Sequence, residues 1–141
     1  MSNDTNLTGV WNGLYSYITE PNIPQSLFVA VIMDTNNHLS GTIHETLNHA
    51  DGTSDGTNAH LAGNHAGGSV NFVEAYDGTA GFTHEVHYEG TIKTGDDEIE
   101  GQWRIDSRWG AYYGRFLMIR ARPKGEVVAV RVAESLDVQT P

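Results

Sequence analysis

Apolar and polar residues alternate along most of this chain, which is the period-two pattern of half-buried β-strands. In the segment 8–17, for example, Trp11, Gly13, Tyr15 and Tyr17 fall on one face. Turn-forming residues separate successive segments, so the pattern predicts an all-β fold of eight antiparallel strands. The predicted strands cover residues 8–17, 26–34, 39–46, 59–64, 70–76, 82–93, 98–107 and 111–122.

Eight strands with short connections predict an up-and-down barrel, because a closed sheet of this size has room for its own side chains or one small ligand. Gly9 and Trp11 begin the first strand, and Arg120 lies in the last. We expect the Trp11 indole to plug one end of the barrel and the Arg120 guanidinium to stack on its face. That end is then the closed end, and function is expected at the opposite, open end.

Three segments depart from simple alternation. Residues 26–34 are apolar on both faces, and the outward face therefore needs a cover, either the C-terminal tail or a second subunit. On this basis we predict a homodimer. The tail, 126–141, follows a barrel domain of residues 1–125, and its pattern leaves open a ninth strand or a helix. The polar, glycine-rich segment 48–58 is predicted to be a mobile loop at the open end.

Composition narrows the function classes. The 141 residues suffice for one domain with a sizeable core, and the absence of cysteine excludes disulfide and thiolate chemistry. The net charge of −10 argues against nucleic acid and anionic membranes as partners, because both attract clustered Lys and Arg. The polar start, MSNDTNLTG, does not resemble a signal peptide, so we predict a soluble, cytoplasmic protein.

Glu74 and His84 form the first candidate site. If Tyr76 pairs with Phe82 across a turn at 77–81, Glu74 lies directly opposite His84 on an apolar face. A carboxylate beside an imidazole can fix its tautomer and act as a general base or a ligand anchor. The sequence leaves open whether the pair is catalytic or structural, and a one-residue slip in register would separate the two side chains.

Aromatic residues form the second candidate site. The same register places Tyr88 beside Trp103, and Trp103 beside Tyr113, as one wall of a pocket to which Phe72 also contributes. Core packing is the alternative role for these rings. Arg115 shares a face with Tyr113, so it is either an inward anchor for an anionic ligand or an ordinary surface residue.

No cofactor or metal is predicted. The seven histidines lack the spacing of a metal-binding motif. The chain also has no nucleophile elbow, phosphate-binding loop or dinucleotide fingerprint.

With Gly9, Trp11, Arg120 and an eight-strand meander, the chain resembles the calycin superfamily of lipocalin-like barrels. Its central part, at 88–91 and 98–103, is also similar to avidin-type barrels, although without their full set of tryptophans and late aspartate, so we do not expect biotin. The resemblance implies a cavity at the open end for a small, largely apolar molecule. We therefore predict ligand binding.

Two other functions remain open. Some calycin-like barrels are cofactor-independent cyclases or isomerases, in which case Glu74 and His84 would transfer protons. A barrel filled by its own side chains would instead be a structural or assembly module.

Overall fold

The computed structural model describes residues 5–18, 22, 25–48, 51–78, 84–107 and 110–121. They form eight antiparallel strands in which each pairs with the next and the last pairs with the first, so the sheet closes into a barrel. The predicted all-β, eight-stranded, up-and-down barrel is confirmed. The strands are β1 (Gly9–Tyr17), β2 (Ser26–Thr35), β3 (His38–Asn48), β4 (Ser54–Ala66), β5 (Ser69–Tyr76), β6 (Glu85–Ile92), β7 (Glu98–Ser107) and β8 (Gly110–Arg120).

The alternation in sequence becomes an alternation in burial, most clearly along β2. Its inward residues are buried, whereas the outward Leu27, Val29, Val31 and Met33 are 39–57% exposed. The described part of the chain therefore leaves an aliphatic stripe on the outer wall. The homodimer stays a prediction, and the tail that could cover this stripe lies outside the described residues.

The segment predicted to be a mobile loop is largely strand, so that prediction is wrong. β3 continues to Asn48 and β4 already begins at Ser54, with these two residues paired in register. Pairing with β3 gives the backbone of this polar stretch its hydrogen-bond partners, which side-chain polarity does not reveal. The predicted fourth strand, 59–64, is thus only the middle of β4.

Tight turns and the N-terminal segment form the closed end of the barrel. Asn36 and Asn37, with φ angles of 52° and 71°, join β2 to β3. Leu7 is fully buried beneath the barrel, and its carbonyl accepts a hydrogen bond from the Trp11 indole at 2.9 Å. The N-terminal residues therefore seal this end together with Trp11.

Arg120 holds the closed end together. Its guanidinium lies over the Trp11 ring, 4.8 Å from the centroid, where we predicted these two residues to close the barrel. It pairs with the Asp97 carboxylate at 3.0 Å and donates to the carbonyls of Asn6 and Thr8 at 2.7 and 3.1 Å. One side chain thus links the first strand, the last strand and the β6–β7 connection.

The opposite end of the barrel is its open end. The C-terminal ends of β1, β3, β5 and β7 and the N-terminal ends of β2, β4, β6 and β8 lie there, as the antiparallel strand order requires. None of the described residues forms a helix with the length and hydrophobicity that a membrane crossing requires.

Candidate functional site

Two buried carboxyl groups lie in the open half of the barrel. Glu45 on β3 and Glu74 on β5 both point inward and are 1% and 0% exposed. We call them the acid pair. Burying a carboxylate in an apolar interior costs several kcal/mol unless a cation or hydrogen bonds compensate. The partners of the acid pair therefore decide what it can do.

Three tyrosine hydroxyls donate to the acid pair. Tyr15 on β1 and Tyr76 on β5 both donate to Oε1 of Glu45, at 2.7 and 2.8 Å. Tyr88 on β6 donates to Oε1 of Glu74 at 2.8 Å. Burial raises the pKa of all three tyrosines, and the nearby carboxylates raise it further, so the hydroxyls keep their protons and remain donors.

The other oxygen of each acid has no such donor. Apart from the other acid of the pair, no described N–H or O–H group reaches Oε2 of Glu45 or Oε2 of Glu74. Burial raises the pKa of Glu74 well above its ordinary value, and the hydrogen bond and charge of Glu45 raise it further, whereas the bond from Tyr88 opposes them. The neighbouring Glu45 therefore favours the protonated form of Glu74, because a second negative charge is costly in an apolar site.

Aromatic rings surround the acid pair. Phe72 stacks on Tyr88 with centroids 4.6 Å apart, and Trp103 meets Tyr15 and Tyr17 edge to face at 5.9 and 5.0 Å. The Trp103 indole donates to the carbonyl of Ser16 at 2.9 Å, which fixes the ring. These rings give the acid pair a largely apolar surrounding.

Partly buried residues line the mouth above this layer. Tyr76 and Tyr17 are of intermediate exposure, and His84 is exposed, with its ring 4.7 Å from that of Tyr76. Burial lowers the pKa of His84, and the charge of Glu45 partly offsets this. Tyr76 thus joins the mouth to the acid pair, because it contacts both His84 and Glu45.

The predicted pairing of Glu74 with His84 is wrong. Glu74 lies opposite Val86, and Phe72 lies opposite Tyr88, a shift of two residues that keeps every side chain on its predicted face. The shift arises because the connection is longer than assumed: the backbone N–H of Tyr76 donates to the carbonyl of His84 at 3.3 Å. The partner of Glu74 is therefore Glu45, two strands away.

The predicted aromatic wall is only partly present. Tyr88 does lie opposite Trp103, but Trp103 faces Gly114 on β8, and a Cβ added there would lie 2.6 Å from the indole nitrogen. Tyr113 and Arg115 point outward and are exposed, so their predicted cavity positions are wrong. The apolar residues Phe116 and Met118 point into the interior and thereby determine which face of β8 is inward. Tyr113 borders a shallow groove on the outside of the barrel.

The sequence analysis missed Glu45, Tyr15 and Tyr76 as site residues. A signal for Glu45 was present, because it continues the inward series of Leu39, Gly41 and Ile43 along β3. A carboxylate that continues an apolar face is a candidate for a functional site. Its meeting with Glu74 could not be read from the sequence, because β4 separates the two strands.

No set of three or more metal-binding side chains occurs together in the described ranges. No family model matches the chain. A comparison with curated proteins also found no match. The function is therefore inferred from the acid pair and its surroundings.

Proposed function

We propose that this protein is a calycin-like barrel that binds a small, largely apolar molecule through its open end. The apolar part of the ligand would contact the aromatic layer, and its polar group would meet Glu45 and Glu74. The observation that carries the proposal is that both acids are fully buried while one oxygen of each receives no hydrogen bond from outside the pair.

Stability alone does not account for the acid pair. Replacing a buried charged group with apolar residues of similar volume is often neutral or stabilising. The closed half of this barrel is mostly filled in this way, with Trp11, Ile43, Val70, Ile99 and Met118 all buried. Its buried Asp34 differs from the acid pair in having His65 as a partner. Two acids and three tyrosines in the open half are costly unless they contact something else.

Access to the acid pair runs through the mouth. Tyr76 is only partly buried and hydrogen-bonds to Glu45, so rotation of this ring would uncover the carboxyl. Its neighbour His84 is exposed at the mouth. A ligand that takes over the hydrogen bond of Tyr76 would therefore need no change in the strands of the barrel.

Native mass spectrometry of the purified protein tests this proposal. We expect a small molecule to copurify with the wild type and with Glu89→Gln, a control on the exposed face of β6. Glu74→Gln, which keeps the volume of the buried side chain, should lower its occupancy. Ligand binding would be contradicted if the wild-type protein carries no small molecule and if the NMR signals of Glu45 and Glu74 do not shift when apolar or amphipathic compounds are added.

A second candidate function is a cofactor-independent isomerase or cyclase. The raised pKa of Glu74 favours it, because a carboxyl that holds its proton more tightly than usual is better suited to act as a general acid near neutral pH. Glu74 and Glu45 would then transfer protons, rather than Glu74 and His84. In a catalyst, Glu74→Gln should reduce turnover by about a hundredfold or more with binding retained, whereas in a binder it changes affinity alone.

A further inference from the structure

We infer that the ligand is a small organic cation whose ammonium group binds between Glu45 and Glu74. This inference rests on the proposed binding function and narrows it to one class of compound. Three properties of the open half carry it: its charge, its unused hydrogen-bond acceptors and its aromatic surroundings.

The open half contains two buried acids, and no described Lys or Arg side chain lies beside them. The four described Lys and Arg side chains lie on the outer wall or at the closed end, and they are Lys93, Arg104, Arg115 and Arg120. The negative charge of the acid pair therefore has no Lys or Arg of the protein beside it in the described ranges. An ammonium group would neutralise this charge where the protein does not.

The unused acceptors are of the kind that an ammonium group needs. Oε2 of Glu45 and Oε2 of Glu74 receive no hydrogen bond from a described N–H or O–H group outside the pair. Ser26, opposite Tyr15 in the register, has a further buried oxygen without a partner among the described residues. An ammonium group has three donors and no acceptor, whereas a hydroxyl brings one donor and a carboxylate brings none.

The aromatic layer suits the rest of such a ligand. Rings of Tyr15, Tyr17 and Trp103 meet edge to face, so they present faces in several directions at one place. Cations bind to aromatic faces, most strongly where water is excluded. The net charge of −10 on the whole chain also attracts cations towards the protein.

Binding of an ammonium group should lower the pKa of Glu74. Before binding, burial and the neighbouring Glu45 favour the protonated form of Glu74. A bound ammonium group favours the carboxylate instead, so part of this proton passes to the buffer. A neutral ligand that only hydrogen-bonds to the pair releases none, so proton release distinguishes the two cases.

Calorimetry with matched compounds tests the inference. The probes are 2-phenylethylamine, 2-phenylethanol and 3-phenylpropanoate, with octylamine and 1-octanol as a second matched pair. Each is titrated at pH 7 in phosphate and in HEPES, whose ionisation enthalpies differ. We expect each amine to bind at least about tenfold more tightly than its alcohol and to release protons, and we expect no binding of the anion.

Variants assign the effect to the acid pair. Glu74→Gln should abolish proton release, and the double variant Glu45→Gln with Glu74→Gln should abolish the preference for amines. Glu89→Gln, on the exposed face of β6, should behave as the wild type. Thermal unfolding of each variant confirms that the barrel is intact.

The outcomes separate this inference from the proposed function. Equal affinity for amine and alcohol overturns the cationic ligand but leaves apolar binding in place. Binding of neither amine up to millimolar concentration also overturns it, and the copurification experiment then decides the proposed function separately. A copurified molecule that proves to be neutral or anionic would contradict the inference in the same way.

Discussion

Both halves of the barrel bury a carboxylate, and they treat it differently. At the closed end Asp34 accepts hydrogen bonds from the backbone of Leu7 at 2.8 Å and of Asn37 at 3.1 Å, and it pairs with His65 at 2.6 Å. In the open half Glu45 and Glu74 each keep one oxygen without a donor. The same chemical group is fully satisfied in one place and incompletely satisfied in the other.

This difference distinguishes a carboxylate that stabilises the fold from two acids that are available to contact a ligand. The contacts of Asp34 tie the N-terminal segment to the β2–β3 turn and to β4, so this carboxylate holds the closed end in place. The acid pair ties its strands together through tyrosine hydroxyls and through the hydrogen bond between the two acids, and one oxygen of each acid receives no hydrogen bond from outside the pair. Buried groups with unused capacity are typical of sites that contact a ligand.

Asp34→Ala should have the largest effect on folding. It leaves two backbone N–H groups and the buried His65 without their acceptor, and breaking a buried pair of this kind costs about 3–5 kcal/mol. Urea denaturation at pH 7 measures the loss, with the exposed Asp106→Ala as control. A loss below about 1 kcal/mol would remove the contrast between the two ends.

The acid pair should make stability fall as pH rises. The pKa of Glu74 is higher in the folded protein than its ordinary value of 4.5, so the folded state binds the proton more tightly than the unfolded state. The stabilisation is complete below that ordinary value and is lost as pH rises through the folded pKa. The slope approaches about −1.4 kcal/mol per pH unit in that window.

Unfolding of wild type and Glu74→Gln from pH 4 to 9 measures this effect. Their difference isolates Glu74 from other titrating groups, and it should change with pH in the direction given above. At neutral pH the variant should be as stable as the wild type or more stable, because glutamine carries no charge into the interior. A strongly destabilised variant with no pH dependence would instead indicate a structural role like that of Asp34.

Tyr76→Phe should have a smaller effect. It removes one of the two hydrogen bonds to Oε1 of Glu45, while Tyr15 still donates to the same atom. We expect a loss of about 0.5–1.5 kcal/mol in the free energy of unfolding. Tyr15→Phe, which removes the fully buried donor of the two, is the matched comparison. If Tyr76→Phe lowers the free energy of unfolding by more than this range, the mouth contributes to stability as the closed end does.

The outer stripe on β2 should have the smallest effect on folding, and it tests the predicted homodimer. Val31→Lys places a charge at a position that is 50% exposed, so the free energy of unfolding should change by less than about 0.5 kcal/mol. If two copies pack through this stripe, light scattering should show a dimer for the wild type and a monomer for the variant. Thr42→Lys on the neighbouring strand β3, opposite Val31, serves as a control for position. A wild-type monomer at micromolar concentration would contradict the homodimer.

The architecture could be predicted from the sequence because strand alternation and turn residues are local signals. The inward positions of Phe72, Glu74 and Tyr88 were predicted from the alternation of side chains along a strand. A two-residue error in register therefore left them on the correct face. The phase of β8 could not be fixed, because Tyr113 and Phe116 are both aromatic and both suit an interior. Only packing against the other strands selects Phe116.

The acid pair could not be predicted from the sequence, for a different reason. Pairing along one hairpin can be inferred from turn length, whereas Glu45 and Glu74 meet across the barrel interior and not between neighbouring strands. The extent of β4 was hidden because its first residues are polar on both faces. Sequence patterns report the burial of a strand, not its backbone pairing.

The contacts of Arg120 have a consequence for the kinetics of folding. They join Arg120 to Asn6 and Thr8, which are 114 and 112 positions away in the sequence, and they form only when β8 meets β1. Contacts between such distant segments carry the largest loop-closure cost and form late in folding. Interactions that are absent from the transition state slow unfolding and leave the folding rate almost unchanged. Arg120 should therefore determine how long a finished barrel stays closed.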